Sequence, residues 1–224
     1  MTGGHVIAID QGTSSTKAIV VDAPGRVVAK ASAPLKSSYP KPGWAEQSAD
    51  DIWASVQAVI AQIVKGGDFD IAGLAIANQR ETLVVWDAAT GKPVAHAILW
   101  QCRRTATVCE KLIAGGADPM VVEATGLSIN ALFPASKLAW VLENVPEARG
   151  LADDGRLYAG TVDSWLLYKL TGGREFSTDH SNASRTQLFN TGRPVMYMQS
   201  MEFDLTTGKL YWASNQVSPN LDFV

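Results

Sequence analysis

A short polar stretch near the start of the chain carries residue types that bind phosphate. Asp10 ends an apolar run, and small, hydroxylated or basic residues follow it: Gly12, Thr13, Ser14, Ser15 and Lys17. Consecutive backbone N–H groups in a turn form a concave anion site, and a neighbouring carboxylate can hold a hydrated magnesium ion. An ordinary polar hairpin turn explains the stretch equally well. The Walker loop is excluded, because no Gly-Lys-Ser/Thr follows and a strand pattern comes next.

A second candidate site follows the apolar run at residues 71–77. Arg80 and Glu81 stand side by side there, and ligands bind at strand ends in open α/β sheets. Arginine offers five donors and glutamate two acceptor oxygens, so the pair could grip adjacent hydroxyls of a small polyol. Trp100 could supply an apolar wall for the carbon face of such a substrate. The alternatives are a surface ion pair and plain core packing of the indole.

The composition indicates a folded domain without an obvious nucleic-acid partner. Of 224 residues, 46% are hydrophobic and 18% are charged, which allows a substantial core. The net charge of −3 comes without a basic patch, which argues against nucleic acid. The three His lack metal-ligand spacing, so no zinc site is expected. Cys102 and Cys109 are expected to pack as reduced apolar side chains.

No targeting or membrane segment is visible in the sequence. The residues before the first strand lack the charged start, apolar core and cleavage site of a signal peptide. No apolar run approaches the length that spans a bilayer. We therefore expect a soluble, cytoplasmic protein.

Apolar patterns predict an alternation of strands and helices within one domain. Residues 6–22 predict a tight hairpin, and a helix is expected from a cap at Ser48 to Gly66. The run at 71–77 predicts a buried strand. The Pro- and Gly-rich segment 39–47 is expected to be a surface loop anchored by Trp44. Further strands are predicted at 27–31, 83–86, 97–100 and 157–160, and further helices up to 114, from 118, over 136–144 and over 164–170.

Several segments carry a family resemblance. The residues from Asp10 to Lys17 resemble the first phosphate loop of the superfamily of sugar kinases, actin and heat-shock chaperones. Five further segments, in matching order and spacing, resemble the glycerol kinase branch of the FGGY carbohydrate kinase family. They read YPKPGW at 39–44, NQRET at 78–82, WQCRRT at 100–105, GTVDSW at 160–165 and SNASRT at 181–186.

The resemblance implies a fold and a domain arrangement. Family members have two ribonuclease H-like lobes of the actin and hexokinase type with a cleft between them. Residues 1–190 are expected to form most of the first lobe, an α/β unit with a mixed β-sheet flanked by helices. Residues 191–224 do not resemble the family and are expected to be a divergent tail.

The resemblance also implies an activity, namely ATP-dependent phosphorylation of a small polyol, with glycerol giving glycerol 3-phosphate. Asp10 would hold Mg²⁺ through water, Arg80 and Glu81 would bind the glycerol hydroxyls, and Trp100 would line the pocket. The full-length form would be a homo-oligomer. The residues that would bind the ATP phosphates are Gly12, Thr13, Ser14, Ser15 and Lys17.

The chain departs from the family pattern in three ways. Leu132 stands where glycerol kinases have a tyrosine that contacts glycerol. Lys17 replaces a frequent arginine and pairs with phosphate as a point charge. The expected general-base aspartate and the adenosine-binding lobe would lie beyond Val224. The chain is therefore expected to be a fragment or the product of an interrupted gene, and to be inactive alone. The rival hypothesis is a non-catalytic binding or scaffold protein derived from such a kinase.

Overall fold

The computed structural model describes residues 4–179, together with the backbone of the two strands Tyr197–Asp204 and Lys209–Ser214. The helices are α1 (Ala49–Gly66), α2 (Ala106–Ala114), α3 (Asp118–Thr125), α4 (Pro134–Asn144), α5 (Pro146–Asp153) and α6 (Val162–Leu170). The strands are β1 (His5–Gln11), β2 (Ser15–Val21), β3 (Val27–Pro34), β4 (Glu46–Gln47), β5 (Ile71–Asn78), β6 (Val84–Asp87), β7 (Ala97–Ile98), β8 (Leu157–Gly160), β9 (Thr178–Asp179), β10 (Tyr197–Asp204) and β11 (Lys209–Ser214).

The main sheet has four strands in the order β3-β2-β1-β5. β1 pairs antiparallel with β2 and parallel with β5, so the sheet is mixed. The predicted hairpin and third strand are confirmed. Because β1 and β5 run in parallel, their C-terminal residues Gln11 and Asn78 lie side by side. The turns that follow the two strands therefore meet at the C-terminal ends of these strands.

Helix α1 covers one face of the main sheet, as its apolar spacing predicts. Its N-terminus is capped by Ser48, whose Oγ accepts a hydrogen bond from the Asp51 N–H at 3.0 Å. The Oγ atoms of Thr16 and Ser55 lie 2.6 Å apart, which joins β2 to α1 beneath the polar turn. The buried apolar side chains on this face are Ile7, Ile9, Ala18 and Val20 of the sheet and Ile52, Val56, Val59 and Ile63 of α1.

A second apolar cluster lies beside the sheet. Strand β6 pairs antiparallel with β8, and the two-residue strands β4 and β7 pair with each other. Helices α4 and α5 pack on this group through Leu138, Val141 and Leu151. Cys102 and Cys109 are free and buried, as the sequence predicts.

The structure corrects several expectations. The run at 71–77 forms a strand, but β5 lies at the sheet edge and its side chains are exposed or half buried. Long-range pairing decides which strand is central, and the apolar run alone does not reveal it. The predicted strand at 97–100 ends at Ile98, so Trp100 follows the strand. The predicted loop at 39–47 ends in strand β4. Helix α5 was not predicted, because Pro146 was interpreted only as the end of α4.

Two expectations concern the C-terminal part of the chain, after residue 179. The SNASRT segment and the proposed domain boundary at Asn190 lie outside the described residues. Of the tail, only the backbone of β10 and β11 is described, and the two strands pair antiparallel. Among the described residues, no helix has the length and apolar character needed to cross a lipid bilayer.

A buried arginine joins the second apolar cluster to strand β4. The Arg104 side chain is only 1% exposed, and its Nη2 lies 2.6 Å from Glu46 Oε1. Its guanidinium carbon lies 4.0 Å from the Trp44 ring centroid and 4.6 Å from that of Trp140. Trp44 is therefore the anchor that the sequence predicts for its loop, through stacking on Arg104.

We expect Arg104→Met to lower the free energy of unfolding by about 3 kcal/mol, because Glu46 would keep a largely enclosed charge without its partner. Urea denaturation of both proteins measures the loss. The matched control is Arg149→Met, which changes an exposed arginine of α5, and exposed charged side chains contribute little to stability. Similar losses in the two variants would contradict the structural role of Arg104.

Candidate functional site

The turn between β1 and β2, residues 12–14, is called the phosphate turn after its predicted role, and it has the shape that an anion site requires. The Gly12 N–H donates to Ser15 O at 3.0 Å, and the Leu35 N–H donates to Ser14 O at 2.9 Å. A Cβ on residue 12 would lie 3.1 Å from Ser15 O, so glycine suits the close approach. Within the described part of the chain, no group accepts a hydrogen bond from the N–H groups of Thr13 and Ser14. These two N–H groups can therefore donate to a phosphate.

Asp10 and Lys17 flank this turn on the face of the sheet opposite α1. They are directly paired across β1 and β2, so their side chains project from the same face. Both are exposed. The structure thus brings one carboxylate and one ammonium group to the base of the turn.

Three buried glutamines link the phosphate turn to the end of β5. Gln79 Nε2 donates to Gln11 Oε1 at 3.2 Å and to Gln47 Oε1 at 2.9 Å. Gln47 Nε2 in turn donates to the backbone oxygen of Thr13 at 2.5 Å. Gln79 Oε1 accepts from Thr82 Oγ1 at 3.1 Å. The network therefore fixes the phosphate turn relative to the segment that carries Arg80 and Glu81.

Trp100 is hydrogen-bonded to both the phosphate turn and the segment after β5. Its indole Nε1 donates to Thr13 Oγ1 at 3.1 Å, and its backbone N–H donates to Thr82 Oγ1 at 3.2 Å. The residue remains 41% exposed, so it is not packed in a core. The structure therefore brings Trp100 beside the phosphate turn with part of its surface open to solvent.

Sequence reasoning missed the glutamine network. Gln11, Gln47 and Gln79 all stood in motifs of interest, but no role was predicted for them. One signal was available, because strand alternation places Gln11 on the same face as Ile7 and Ile9. A polar side chain on a buried face requires a hydrogen-bonding partner. Its partners could not be read from the sequence, since Gln47 and Gln79 lie far away along the chain.

The Arg80–Glu81 pair occupies a turn with an unusual backbone. Arg80 is exposed, whereas Glu81 is 7% exposed. Glu81 has φ = 60°, and it is the one non-glycine residue with positive φ in the described part of the chain. The two neighbouring side chains therefore have different surroundings, and the turn is costly for an L-residue.

Lys137 of α4 lies beneath this turn. Its side chain is fully enclosed, and its Nζ donates to Glu81 O at 2.7 Å and to Leu132 O at 2.6 Å. Burial lowers the pKa of Lys137 from 10.5 to about 8, against the opposite effect of the Glu81 charge. Through these two bonds Lys137 places Leu132 beside the Arg80–Glu81 turn.

The family model for the N-terminal domain of the FGGY family of carbohydrate kinases matches residues 5–205. The chain belongs to this family. Glycerol kinase from Symbiobacterium thermophilum is 49% identical over 193 residues, which are 85% of this chain and 39% of that protein. Glycerol kinase from Bacillus cytotoxicus is 49% identical over 189 residues, covering 83% of this chain and 38% of the relative.

Solved structures of family members share the fold. The crystal structure of Plasmodium falciparum glycerol kinase with ADP superposes with a TM-score of 0.77 at 32% identity, covering 84% of this chain and 38% of that one. The predicted fold class, a ribonuclease H-like lobe with a mixed sheet flanked by helices, is confirmed. The chain spans about two fifths of the length of these FGGY relatives.

The glutamine network generates a stability prediction. Gln79→Leu should lower the free energy of unfolding by about 3 kcal/mol, because the amide and hydroxyl groups that bind Gln79 would lose their partner inside the protein. Urea denaturation provides the measurement. Gln62→Leu is the matched control: Gln62 is exposed on α1 and donates only at 3.5 Å, to Ser32 O. Equal losses for both variants would show that the network does not hold the turn.

The buried ammonium group generates a pH prediction. Lys137 releases its proton near pH 8 in the folded chain and near 10.5 when unfolded. Between these values the unfolded chain binds more protons, so the free energy of unfolding rises with pH. Relative to Lys137→Met, the free energy of unfolding of wild type should increase by on the order of 3 kcal/mol as the pH rises through this range.

Denaturation at a series of pH values checks this prediction, because the other titrating groups cancel in the difference between the two proteins. The same comparison with Lys65→Met, which changes an exposed lysine at the end of α1, should give a nearly constant difference. A constant difference for Lys137→Met as well would be inconsistent with a buried charge.

Proposed function

We propose that the chain supplies the phosphate-binding turn and the polyol-binding residues of an ATP-dependent polyol kinase, with glycerol as the polyol. One observation carries the proposal: the indole of Trp100 donates to Thr13 of the phosphate turn at 3.1 Å. This bond joins the polyol side to the phosphate side within one network. A kinase needs that proximity, because the attacking hydroxyl and the transferred phosphoryl group must meet in line.

The polyol side combines a donor, an acceptor and an apolar wall. The Arg80 guanidinium would donate to one hydroxyl oxygen, and the Glu81 carboxylate would accept from the next hydroxyl group. Trp100 would cover the carbon chain with the exposed part of its ring. This choice of substrate is supported by the 49% identity to proteins named glycerol kinase.

The phosphate side relies on backbone amides and two charges. The N–H groups of Thr13 and Ser14 would donate to phosphate oxygens, with Gly12, Ser15 and Lys17 completing the phosphate contacts. Asp10 would hold Mg²⁺ through water, because this ion keeps several of its waters and usually binds to only one or two carboxylates. When bound, Mg²⁺ would neutralise negative charge on those phosphates.

In this arrangement the chain contributes mainly orientation. The glutamine network would hold the phosphate turn still, while Arg80 and Glu81 would fix one polyol hydroxyl towards the γ-phosphate. Positioning of this kind accounts for much of the catalysis of phosphoryl transfer. No described residue is assigned as the general base that takes the hydroxyl proton.

We expect Arg80→Ala to weaken glycerol binding about tenfold or more and to leave nucleotide binding nearly unchanged, because hydrogen bonds from a charged donor contribute about 1.5–3 kcal/mol each. Calorimetric titration of the 224-residue chain with glycerol, and separately with ATP and Mg²⁺, measures both affinities. Arg26→Ala, a remote exposed arginine, is the control. Equal losses for the two ligands would assign Arg80 to general stability.

A turnover assay tests whether the chain catalyses the transfer by itself. Glycerol-dependent ADP release is measured with the purified chain, and we expect binding without sustained turnover, because no described residue is assigned as the general base. Turnover would place the general base among residues to which no role is assigned here. A wild-type chain that does not bind glycerol would contradict the proposed function.

A further inference from the structure

Lys137 is a buried cation whose contacts lead to two separate loops. Its ammonium group binds the backbone oxygen of Glu81, which follows β5, and that of Leu132, which precedes α4. Enclosing a lysine costs free energy, and an apolar side chain of equal length would fill the space without that cost. An apolar side chain, however, could not donate hydrogen bonds to these two carbonyl oxygens.

The first carbonyl belongs to the strained residue of the site. Glu81 has φ = 60°, a left-handed conformation that is unfavourable for an L-residue unless its surroundings stabilise it. The 2.7 Å bond from Lys137 is a contact that orients this peptide group. If the turn relaxed, the directions of the Arg80 and Glu81 side chains would change together.

The second carbonyl belongs to a turn that is itself ordered. Asn130 Oδ1 accepts from the Leu132 N–H at 2.9 Å, and the Phe133 N–H donates to Asn130 O at 3.2 Å. Since both carbonyl oxygens lie within 2.7 Å of the same Lys137 nitrogen, the two turns are close neighbours. Lys137 therefore sets the distance between residue 132 and the Arg80–Glu81 pair.

We propose that Lys137 is a positioning residue for the polyol site, because its ammonium group holds the Glu81 turn and the Leu132 turn in one fixed arrangement. Lys137 itself would not touch the substrate. This inference rests on the proposed polyol function of the same site, and it assigns the relative placement of the polyol-binding residues to a side chain beneath them.

The test compares K137M, which removes the donors, with K137Q, which keeps an amide group with two N–H donors. Tyr168→Phe is the control, because it removes a 2.8 Å bond to the backbone oxygen of Ala88, away from this site. Hydrogen–deuterium exchange of the 224-residue chain follows the peptides that contain residues 79–83 and 130–133. Calorimetry gives the glycerol affinity of each variant.

We expect K137M to speed exchange in both peptides and to weaken glycerol binding by about tenfold, as loss of a charged hydrogen bond implies. K137Q should recover part of both effects, and the control should show neither. Unchanged exchange in the 79–83 peptide would overturn the inference. Equal glycerol losses in K137M and Tyr168→Phe would also overturn it, because they would indicate a general effect on stability.

Two further measurements keep the outcome decisive. If wild type binds no glycerol, the proposed function fails, and the exchange data alone decide whether Lys137 holds the turns. If K137M does not fold, nuclear magnetic resonance of the lysine ammonium protons in wild type replaces it. A Lys137 signal protected from exchange supports the inference, and exchange as fast as that of surface lysines overturns it.

Discussion

Burial of amide side chains is the constraint on which the candidate site depends. Gln11, Gln47 and Gln79 lie where apolar packing surrounds them, so each donor and acceptor needs a partner inside the protein. Those partners belong to three separate segments of the chain, which are residues 11–13, Gln47 and residues 79–82. Satisfying them fixes the phosphate turn, strand β4 and the end of β5 relative to one another, and Trp100 joins them through its bonds to Thr13 and Thr82. A network of this kind permits few alternative arrangements, which suits a site that works by orientation.

The location of the network follows from the strand order. β1 and β5 are neighbours and run in parallel, so the segments after them emerge at the same sheet edge. The phosphate turn leaves that edge as a hairpin, and the Gln79–Glu81 segment leaves it as a turn. Helix α1 supports the hairpin from below through the contact of Thr16 with Ser55. The fold therefore brings together the phosphate turn and the Gln79–Glu81 segment, although Thr13 and Gln79 are 66 residues apart in the sequence.

The sequence correctly predicted those features of the fold that depend on patterns among neighbouring residues. The hairpin, α1 with its cap at Ser48, and the polar residues at both strand ends were identified correctly, because alternation, helical spacing and capping act over a few residues. The edge position of β5 and the pairing of β4 with β7 depend on distant partners and were missed. The same applies to the glutamine network and to the positive φ of Glu81. Trp100 was chosen as a site residue, but its bond to Thr13 could be seen only in the structure.

The two halves of the candidate site are built from different chemical groups, and this difference bears on specificity. The phosphate turn offers backbone N–H groups, which depend little on side-chain identity beyond the glycine at position 12. The polyol side would use the side chains of Arg80 and Glu81, presented from a strained turn that rests on a buried lysine. Lys137 binds the backbone oxygens of Glu81 and Leu132, so a change of the Leu132 side chain would leave both hydrogen bonds in place. The side chains of the proposed polyol side could therefore vary without altering the backbone groups that would hold phosphate.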